Sequence, residues 1–332
     1  MRRRTLSASV LYLIYSLCFL HPPAYAQDGS YQRGLQTWRD EYVARLTKPD
    51  GWLSLAGLEW LQQGDNSFGS ATDNKVHVPA SGPDNAPGKM PASAGWLGLQ
   101  KSGATAHLGV LRLDGETVQL LPAKGGFPKE LLVDGKPAEA QTLRVERQND
   151  KTSPRITIGS LQMYVVRREN RFALRIKDGH SAALQAFTGL HWFQPNERYR
   201  VTVKWIPYVP HKALTLSTLV GTTTEADVPG TAEFELSGKT YRVEPVLEDP
   251  NEPKLFFILR DTTSSAMTYP ACRFLYTGFP SNGLDKPGEL VLDFNHLENP
   301  PCAYTPYATC PLPPPGNRLP IALPVGEKRY HD

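Results

Sequence analysis

The stretch "LQMYVVRRENRFALRIKD", residues 161–178, decides the fold class of this chain. It contains two runs rich in β-branched, aromatic and other apolar residues, and the polar pair Glu169 and Asn170 separates them. β-Branched and aromatic residues favour strands, whereas asparagine favours turns. The stretch therefore predicts a β-hairpin.

The same pattern recurs along most of the chain. Many short strands at spacings of about 8–12 residues, separated by Gly, Pro, Asn or Asp, are typical of sandwiches and barrels. The further runs are "HLGVLRL" (107–113), "ETVQLL" (116–121), "RITIG" (155–159), "YRVTVKW" (199–205), "TAEFELSG" (231–238), "KTYRVEPV" (239–246), "KLFFILRD" (254–261) and "GELVLDF" (288–294). We predict a mainly β fold.

One helix precedes these strands. In "YQRGLQTWRDEYVARLTK" (31–48) apolar residues recur at spacings of three and four, which is the period of one helix face. They are Leu35, Trp38, Tyr42 and Leu46. Pro49 then ends the helix. We predict a short N-terminal helix within residues 27–50.

The first 26 residues have the pattern of a secretory signal peptide. Arg2, Arg3 and Arg4 precede a short apolar run, and "AYA" (24–26) fits a cleavage site before Gln27. An uncleaved membrane anchor is the alternative. We expect a periplasmic or secreted protein without a transmembrane segment after cleavage.

The charge balance gives no support for nucleic-acid binding. The whole chain has 36 basic and 33 acidic residues, and the predicted leader carries three of the arginines and no acidic residue. The mature chain would therefore be neutral and has no basic block. We expect no nucleic-acid partner, and the sequence does not indicate an oligomeric state.

Two β domains account for the remaining length. Strand-like alternation is lost over residues 178–196, so we place a boundary at 180/181. Residues 51–180 would form a β-sandwich-like domain, and residues 181–332 a β-barrel-like domain closed by a proline-rich segment. Within the first domain, "LQQGDNSFGSATDNKVHVPA" (61–80) and the strands after it resemble the layout of forkhead-associated β-sandwiches.

This resemblance does not extend to the ligand of those domains. They carry an Arg directly after the first Gly, where this chain has Ser70 after Gly69, and "SAGWLG" (93–98) lacks their later His. Phosphopeptide binding is therefore not implied.

The proline-rich segment, "DFNHLENPPCAYTPYATCPLPPPGNRLP" (293–320), is called the clasp below. Its prolines exclude a helix or a regular strand. Cys302 and Cys310 are predicted to form a disulfide, since exported proteins meet an oxidising environment. A zinc site made of Cys302, Cys310 and His296 is the alternative, but we expect no metal or other cofactor. A role for Cys272 is not indicated.

The clasp also carries a family resemblance. Together with "GWLSLAGLEWLQQGDNSFGS" (51–70) and "RDTTSSAMTYPACRFLY" (260–276), it resembles the bacterial and archaeal family called domain of unknown function 1684, from about Trp38 to Glu327. The resemblance implies no known catalytic residues. Cys272 and His296 stand where a Gly and a Lys are expected, which makes them poor candidates for shared chemistry.

Candidate site residues are therefore chosen on their own chemistry. Asp293 and Asp261 end strands and are candidate catalytic carboxylates, with Arg273 placed to hold an anionic group. A buried Arg–Asp ion pair that fixes strand order is the alternative. The further candidate binding residues are Asn295, Asn299, Tyr304, Tyr307, Asn317, Arg318 and Glu327.

The hairpin arginines are a second candidate set. Arg167, Arg168, Arg171 and Arg175 could grip an anionic ligand, or they could form a solvated strand face.

Two classes of function follow from these residues. The preferred one is the binding of a small molecule or glycan in a polar pocket under the clasp, because the motifs of standard nucleophiles are absent. The alternative is a hydrolase of a cell-envelope or scavenged substrate that uses Asp293 or Asp261 with Arg273 and a hydrogen-bond donor, Tyr304 or Tyr307. A purely structural envelope protein is the third reading.

Overall fold

The computed structural model describes residues 29–79, 106–146, 152–248 and 252–330. The predicted signal peptide and "SAGWLG" lie outside these residues. The predicted helix is confirmed as α1, Gly29–Leu46, whose buried residues are Leu35, Tyr42 and Leu46. Among the described residues, no helix is long and apolar enough to cross a membrane.

Eleven strands form the N-terminal half. They are Leu55–Trp60 (β1), Gly64–Gly69 (β2), Val76–His77 (β3), Gly109–Asp114 (β4), Thr117–Leu121 (β5), Leu132–Val133 (β6), Lys136–Pro137 (β7), Gln141–Leu143 (β8), Ile156–Ile158 (β9), Leu161–Arg168 (β10) and Arg171–Asp178 (β11). A 3-10 turn, Trp52–Ser54, precedes β1. The strands form one sheet in the order β1-β11-β10-β9-β6-β7 and another in the order β3-β2-β4-β5-β8.

These two sheets pack around one apolar core. Phe68, Leu111 and Leu120 come from the second sheet, and they share the core with Val165 and Leu174 of the first. Sheets that bury their inner faces in this way form a sandwich. The likeness to forkhead-associated domains stays a prediction.

The described residues of the C-terminal half contain six strands. They are Arg200–Ser217 (β12), Thr223–Leu236 (β13), Lys239–Val243 (β14), Lys254–Leu259 (β15), Arg273–Gly278 (β16) and Gly288–Asp293 (β17), of which β12 and β13 are the longest. The short helices are α2, Ala182–Gln185, and the 3-10 turns Glu197–Tyr199, Phe294–His296, Pro301–Ala303 and Pro315–Asn317. The predicted division at residue 181 stays a prediction, although β11 ends at Asp178.

No closed barrel is present among the described residues, so the barrel-like part of the fold prediction is not confirmed. The C-terminal strands form an open sheet, β14-β13-β12-β17, and a separate hairpin, β15-β16. Between β16 and β17, the Thr277 hydroxyl donates to the Val291 carbonyl at 2.9 Å, where a barrel would have a continuous ladder. The mainly β class is confirmed.

The β15-β16 hairpin is buried on both faces. Phe257 and Leu275 pack into a core shared with β12, β13 and β17. Phe256 and Phe274 point the other way and pack with Cys272, Cys310 and Leu55. The second face therefore joins the C-terminal half to the clasp and to β1.

The clasp donates hydrogen bonds to the end of β12 and to the residue that follows β15. The Leu312 amide donates to the Ser217 carbonyl, and the Leu319 amide donates to the Arg260 carbonyl. Exposed strand edges are commonly covered in this way. The clasp therefore runs as an ordered irregular segment over the C-terminal half.

Gly51 fixes the loop between α1 and β1. A Cβ atom at this position would lie 2.5 Å from the Leu46 carbonyl oxygen and 2.6 Å from that of Arg45. We expect Gly51→Ala to lower the free energy of unfolding by about 1–3 kcal/mol, because backbone must move to make room. Urea denaturation followed by tryptophan fluorescence measures the change.

Gly34→Ala is the matched control for this substitution. Gly34 lies in α1, is exposed, and has no atom within 4 Å of an added Cβ. Alanine should stabilise the helix by up to about 1 kcal/mol. Equal stability of the two variants would contradict the close approach at Gly51.

Candidate functional site

A cleft of about 960 Å³ separates the N-terminal sheet from the C-terminal half. Its walls are β10 and β11 on one side, and residues of β15, β16 and the clasp on the other. The loop that contains Trp52 forms part of the rim. The clasp residues that line the cleft are Glu298, Asn299, Pro301, Tyr304, Ala308, Thr309, Cys310 and Pro311.

The alternation of β10 and β11 makes the first wall basic. Tyr164 pairs with Arg175 across the two strands, and Arg168 pairs with Arg171. Because alternate residues of a strand share a face, Met163, Val165, Leu174 and Ile176 enter the sandwich core. Tyr164, Arg168, Arg175 and Lys177 are left on the opposite face, towards the cleft.

Arg175 is the central residue of this wall. Its side chain is 4% exposed, and its Nε and Nη2 atoms have no hydrogen-bond partner among the described residues. No carboxylate of the described residues forms a salt bridge with Arg175 or with Arg168. Burying a cation without a counter-ion is costly. Such a group in a cleft marks a place where an anion would be stabilised.

The neighbours of Arg175 add positive charge. The Arg155 guanidinium stacks 3.7 Å from the centre of the Tyr164 ring and is held by Glu146 at 3.3 Å. Burial and the nearby Arg175 lower the pKa of Arg168 to about 10. Burial also lowers the pKa of Lys177, whose ammonium donates to the Asp50 carbonyl. Among the described residues, Glu146 is therefore the single carboxylate bonded to the four cations Arg155, Arg168, Arg175 and Lys177.

The sequence indicated part of this wall. Of the four hairpin arginines, Arg168 and Arg175 share the cleft-facing side of the sheet. Arg167 also lines the cleft but pairs with Glu116 at 2.6 Å, whereas Arg171 lies 3.6 Å over the Trp60 ring, outside the cleft. Tyr164, Arg155 and Lys177 were missed. The sequence signal that could have indicated this wall is a polar residue within each of two otherwise apolar strands, Tyr164 in β10 and Arg175 in β11.

The predicted site residues lie in separate places. Asp293 accepts hydrogen bonds from the Tyr31 hydroxyl at 2.9 Å and from the Asn295 amide, beside α1. Asn295 is also bonded to the backbone of Asn196. Neither Asp293 nor Asn295 lines the cleft. Their predicted catalytic and binding roles stay predictions.

Asp261 and Arg273 bind each other. Their side chains are 2% and 1% exposed and lie 2.6 Å apart. Arg273 also donates to the carbonyls of Val325 and Leu323, at 2.5 and 2.9 Å. This is the buried ion pair that the sequence allowed as the alternative to a catalytic role.

Asn299, Tyr304 and Glu327 form one buried network behind the cleft. The Tyr304 hydroxyl and the Asn299 side-chain amide both donate to Glu327, each at 2.7 Å. The Tyr304 hydroxyl also lies 2.9 Å from that of Tyr42 in α1. Burial raises the pKa of Glu327 to about 7. Asn299 and Tyr304 are the predicted binding residues that line the cleft.

The other predicted binding residues lie away from the cleft. Asn317 bonds the backbone of Glu244 and Ile258 and is buried. Arg318 and Tyr307 are exposed. The predicted set therefore does not converge on one pocket.

Cys302 and Cys310 lie side by side as thiols. The Cys302 amide donates to the Cys310 sulfur at 3.2 Å, and the Cys310 thiol lowers the pKa of Cys302. The disulfide itself is not formed in the structure. Among the described residues, no group of three or more His, Cys, Asp or Glu side chains could hold a metal ion. His296, the third ligand of the zinc alternative, contacts the Trp38 ring edge-to-face, with 4.5 Å between the ring centroids.

The comparisons with known proteins support the family resemblance. The family model described as "Protein of unknown function (DUF1684)" matches residues 185–328. The family prediction is confirmed over this segment. The matched residues include the clasp, Glu298 and the Asp261–Arg273 pair, whereas the basic wall precedes them. The predicted extension back to Trp38 stays a prediction.

Solved structures also match part of the chain. Among them is the solution NMR structure of an uncharacterized protein of Haloarcula marismortui, with 28% sequence identity over 43% of this chain and 78% of that chain and a TM-score of 0.38. The search of curated proteins gave no match.

The buried ion pair is expected to hold the C-terminal segment in place. Asp261→Ala leaves the Arg273 guanidinium buried without its counter-ion, which should lower the free energy of unfolding by about 3–5 kcal/mol. Urea denaturation measures the change. The double variant Asp261→Leu with Arg273→Met should lose less than the single one.

The exposed pair of Asp65 and Arg112 provides the control, since both of its side chains are about half exposed, at 53% and 48%. Asp65→Ala should change stability far less, because solvent screens exposed charges. An Asp261→Ala variant as stable as Asp65→Ala would refute the structural role.

Proposed function

We propose that this protein is exported and binds a small molecule with an anionic group in the cleft under the clasp. The observation that carries the proposal is Arg175, a buried residue of the cleft lining whose Nε and Nη2 atoms have no hydrogen-bond partner among the described residues. Arginine forks match the oxygens of phosphates and carboxylates. The chemical class is therefore a phosphate, phosphonate or carboxylate.

The rest of the cleft suits the organic part of such a ligand. Trp52, Tyr164, Phe256 and Tyr276 bring aromatic surface to its walls. A volume of about 960 Å³ lies within the range of small-molecule sites.

The hydrolase alternative has less support. Its two carboxylates, Asp293 and Asp261, do not line the cleft, and both are bonded to neighbouring side chains. Its proposed anion holder, Arg273, is bonded to Asp261 and to two carbonyls. Binding therefore accounts for more of the geometry than hydrolysis does.

Calorimetric titration with n-alkyl phosphates tests the proposal. We expect the wild-type protein to bind at least one of them, and Arg175→Gln to weaken binding about tenfold or more. A charged hydrogen bond contributes about 1.5–3 kcal/mol, and about 1.4 kcal/mol is a factor of ten. The unfolding free energy of Arg175→Gln should be unchanged or higher, because a buried cation is removed.

Arg171→Gln is the matched control. Arg171 lies on the same face of the same strand, but it stacks on Trp60 outside the cleft. The Arg171→Gln variant should leave the affinity for alkyl phosphates unchanged. Equal losses in the two variants, or no binding of any alkyl phosphate or of citrate, would overturn the proposal.

We also propose that the exported chain carries the Cys302–Cys310 disulfide. The contact of the Cys302 amide with the Cys310 sulfur supports it, since the two residues are adjacent in space. Intact mass of the exported protein, before and after reduction, should differ by two hydrogen atoms, with peptide mapping to this pair. A fully reduced exported chain would exclude the disulfide. An intact mass that includes residues before Gln27 would exclude cleavage at that position.

A further inference from the structure

The cleft that contains Arg175 is also lined by a carboxyl group, that of Glu298. Its backbone is fixed by two hydrogen bonds with Phe274, at 2.8 and 3.0 Å. Its side chain has no salt bridge with any described residue. Arg175 and Glu298 therefore give the cleft lining a buried cation and a carboxyl group that has no ion-pair partner among the described residues.

The surroundings of Glu298 disfavour its negative charge. The charged and titratable groups that face it are Arg45 and Tyr42 of α1, Glu248 after β14, Tyr276 of β16 and Glu327 after the clasp. Burial, Glu327 and Glu248 raise the pKa of Glu298 to about 8, and the exposed Arg45 offsets this only in part. Near neutral pH the side chain is therefore mostly a neutral acid.

A cation beside Glu298 would reverse this balance. An opposite charge within about 4–6 Å favours the ionised form of a carboxyl group. A ligand ammonium group placed there would convert Glu298 into a carboxylate and form a charge-assisted hydrogen bond with it. The two acids that oppose ionisation, Glu248 and Glu327, would add attraction for the same cation.

Resting on the proposed function, we propose that the ligand is a zwitterion. Its anionic group binds Arg175 and Arg168, its ammonium group binds Glu298, and its spacer lies along the aromatic lining between them. The ligand class is thus an amine that also carries a phosphate, phosphonate or carboxylate. A plain anion would interact with the arginines and would leave Glu298 without a cation.

Binding of the zwitterion changes the protonation of Glu298. The Glu298 carboxyl loses its proton to the buffer as the ammonium group binds, and no covalent bond to the ligand forms or breaks. Binding near neutral pH therefore releases up to one proton. A plain anion releases none from Glu298, because no cation reaches it.

The test compares ω-aminoalkyl phosphates with n-alkyl phosphates of the same length, from ethyl to hexyl. Titration calorimetry near neutral pH, in two buffers of different ionisation enthalpy, gives both the affinity and the number of protons released. We expect at least one aminoalkyl phosphate to bind tenfold or more tightly than its alkyl counterpart, with proton release.

Glu298→Gln should abolish this preference and the proton release, yet keep the affinity for alkyl phosphates. Glutamine has nearly the shape of the protonated acid, so the fold should be retained. Glu225→Gln is the matched control: Glu225 also lines the cleft, but it is exposed and accepts a hydrogen bond from Thr215.

The outcomes separate the two proposals. If both series bind equally, or if Glu298→Gln keeps the preference, the zwitterion proposal fails and the anion site stands. If neither series binds, the proposed function fails together with it.

Discussion

The C-terminal half depends on one buried ion pair. Arg273, at the start of β16, binds Asp261 after β15 and also two carbonyls beyond the clasp, those of Leu323 and Val325. Two residues later, Glu327 binds Asn299 and Tyr304 of the clasp. A guanidinium with several fixed donors can organise irregular backbone in this way. Arg273 thus joins the β15-β16 hairpin to residues 323–325, and Glu327 joins the same segment to the clasp.

The same connection reaches the cleft. Tyr304 lies on the cleft wall and contacts Tyr42 of α1, and Glu298 is held on β16 through Phe274. Glu298 is therefore positioned by the hairpin that carries Arg273, whereas Arg175 is positioned by the β10-β11 hairpin. The cleft lies between these two parts, which also share apolar contacts at Leu55 and between Leu53 and Tyr304.

The local structure could be predicted from the sequence, but the burial of each face could not. Apolar alternation in "RFALRIKD" predicts a strand and places Arg171, Arg175 and Lys177 on one face. It does not show that the clasp and β12-β13 cover Arg175 and leave Arg171 outside. That distinction depends on contacts between residues far apart in the chain, and it decides which arginine can bind a ligand.

The clasp shows the opposite difficulty. Its polar residues suggested a binding site, but an irregular segment must first satisfy its own backbone and that of its neighbours. Asn317 bonds the backbone of Glu244 and Ile258, and Asn295 bonds that of Asn196. Residue type alone does not separate such structural amides from ligand-binding ones. The Glu298 side chain has no such hydrogen bond to backbone among the described residues, and Glu298 was not among the residues predicted from the sequence.

The contact between Tyr42 and Tyr304 has a consequence for the order of folding. The two residues are 262 positions apart, and the Tyr42 hydroxyl also bonds the Asn299 carbonyl. Contacts of such separation form late, because the entropy of closing the loop must be offset by structure already in place. Helix α1 therefore gains these contacts only after residues 299–304 have been synthesised. Until then its apolar face stays uncovered, and a chaperone that holds the growing chain would have most to protect at this helix.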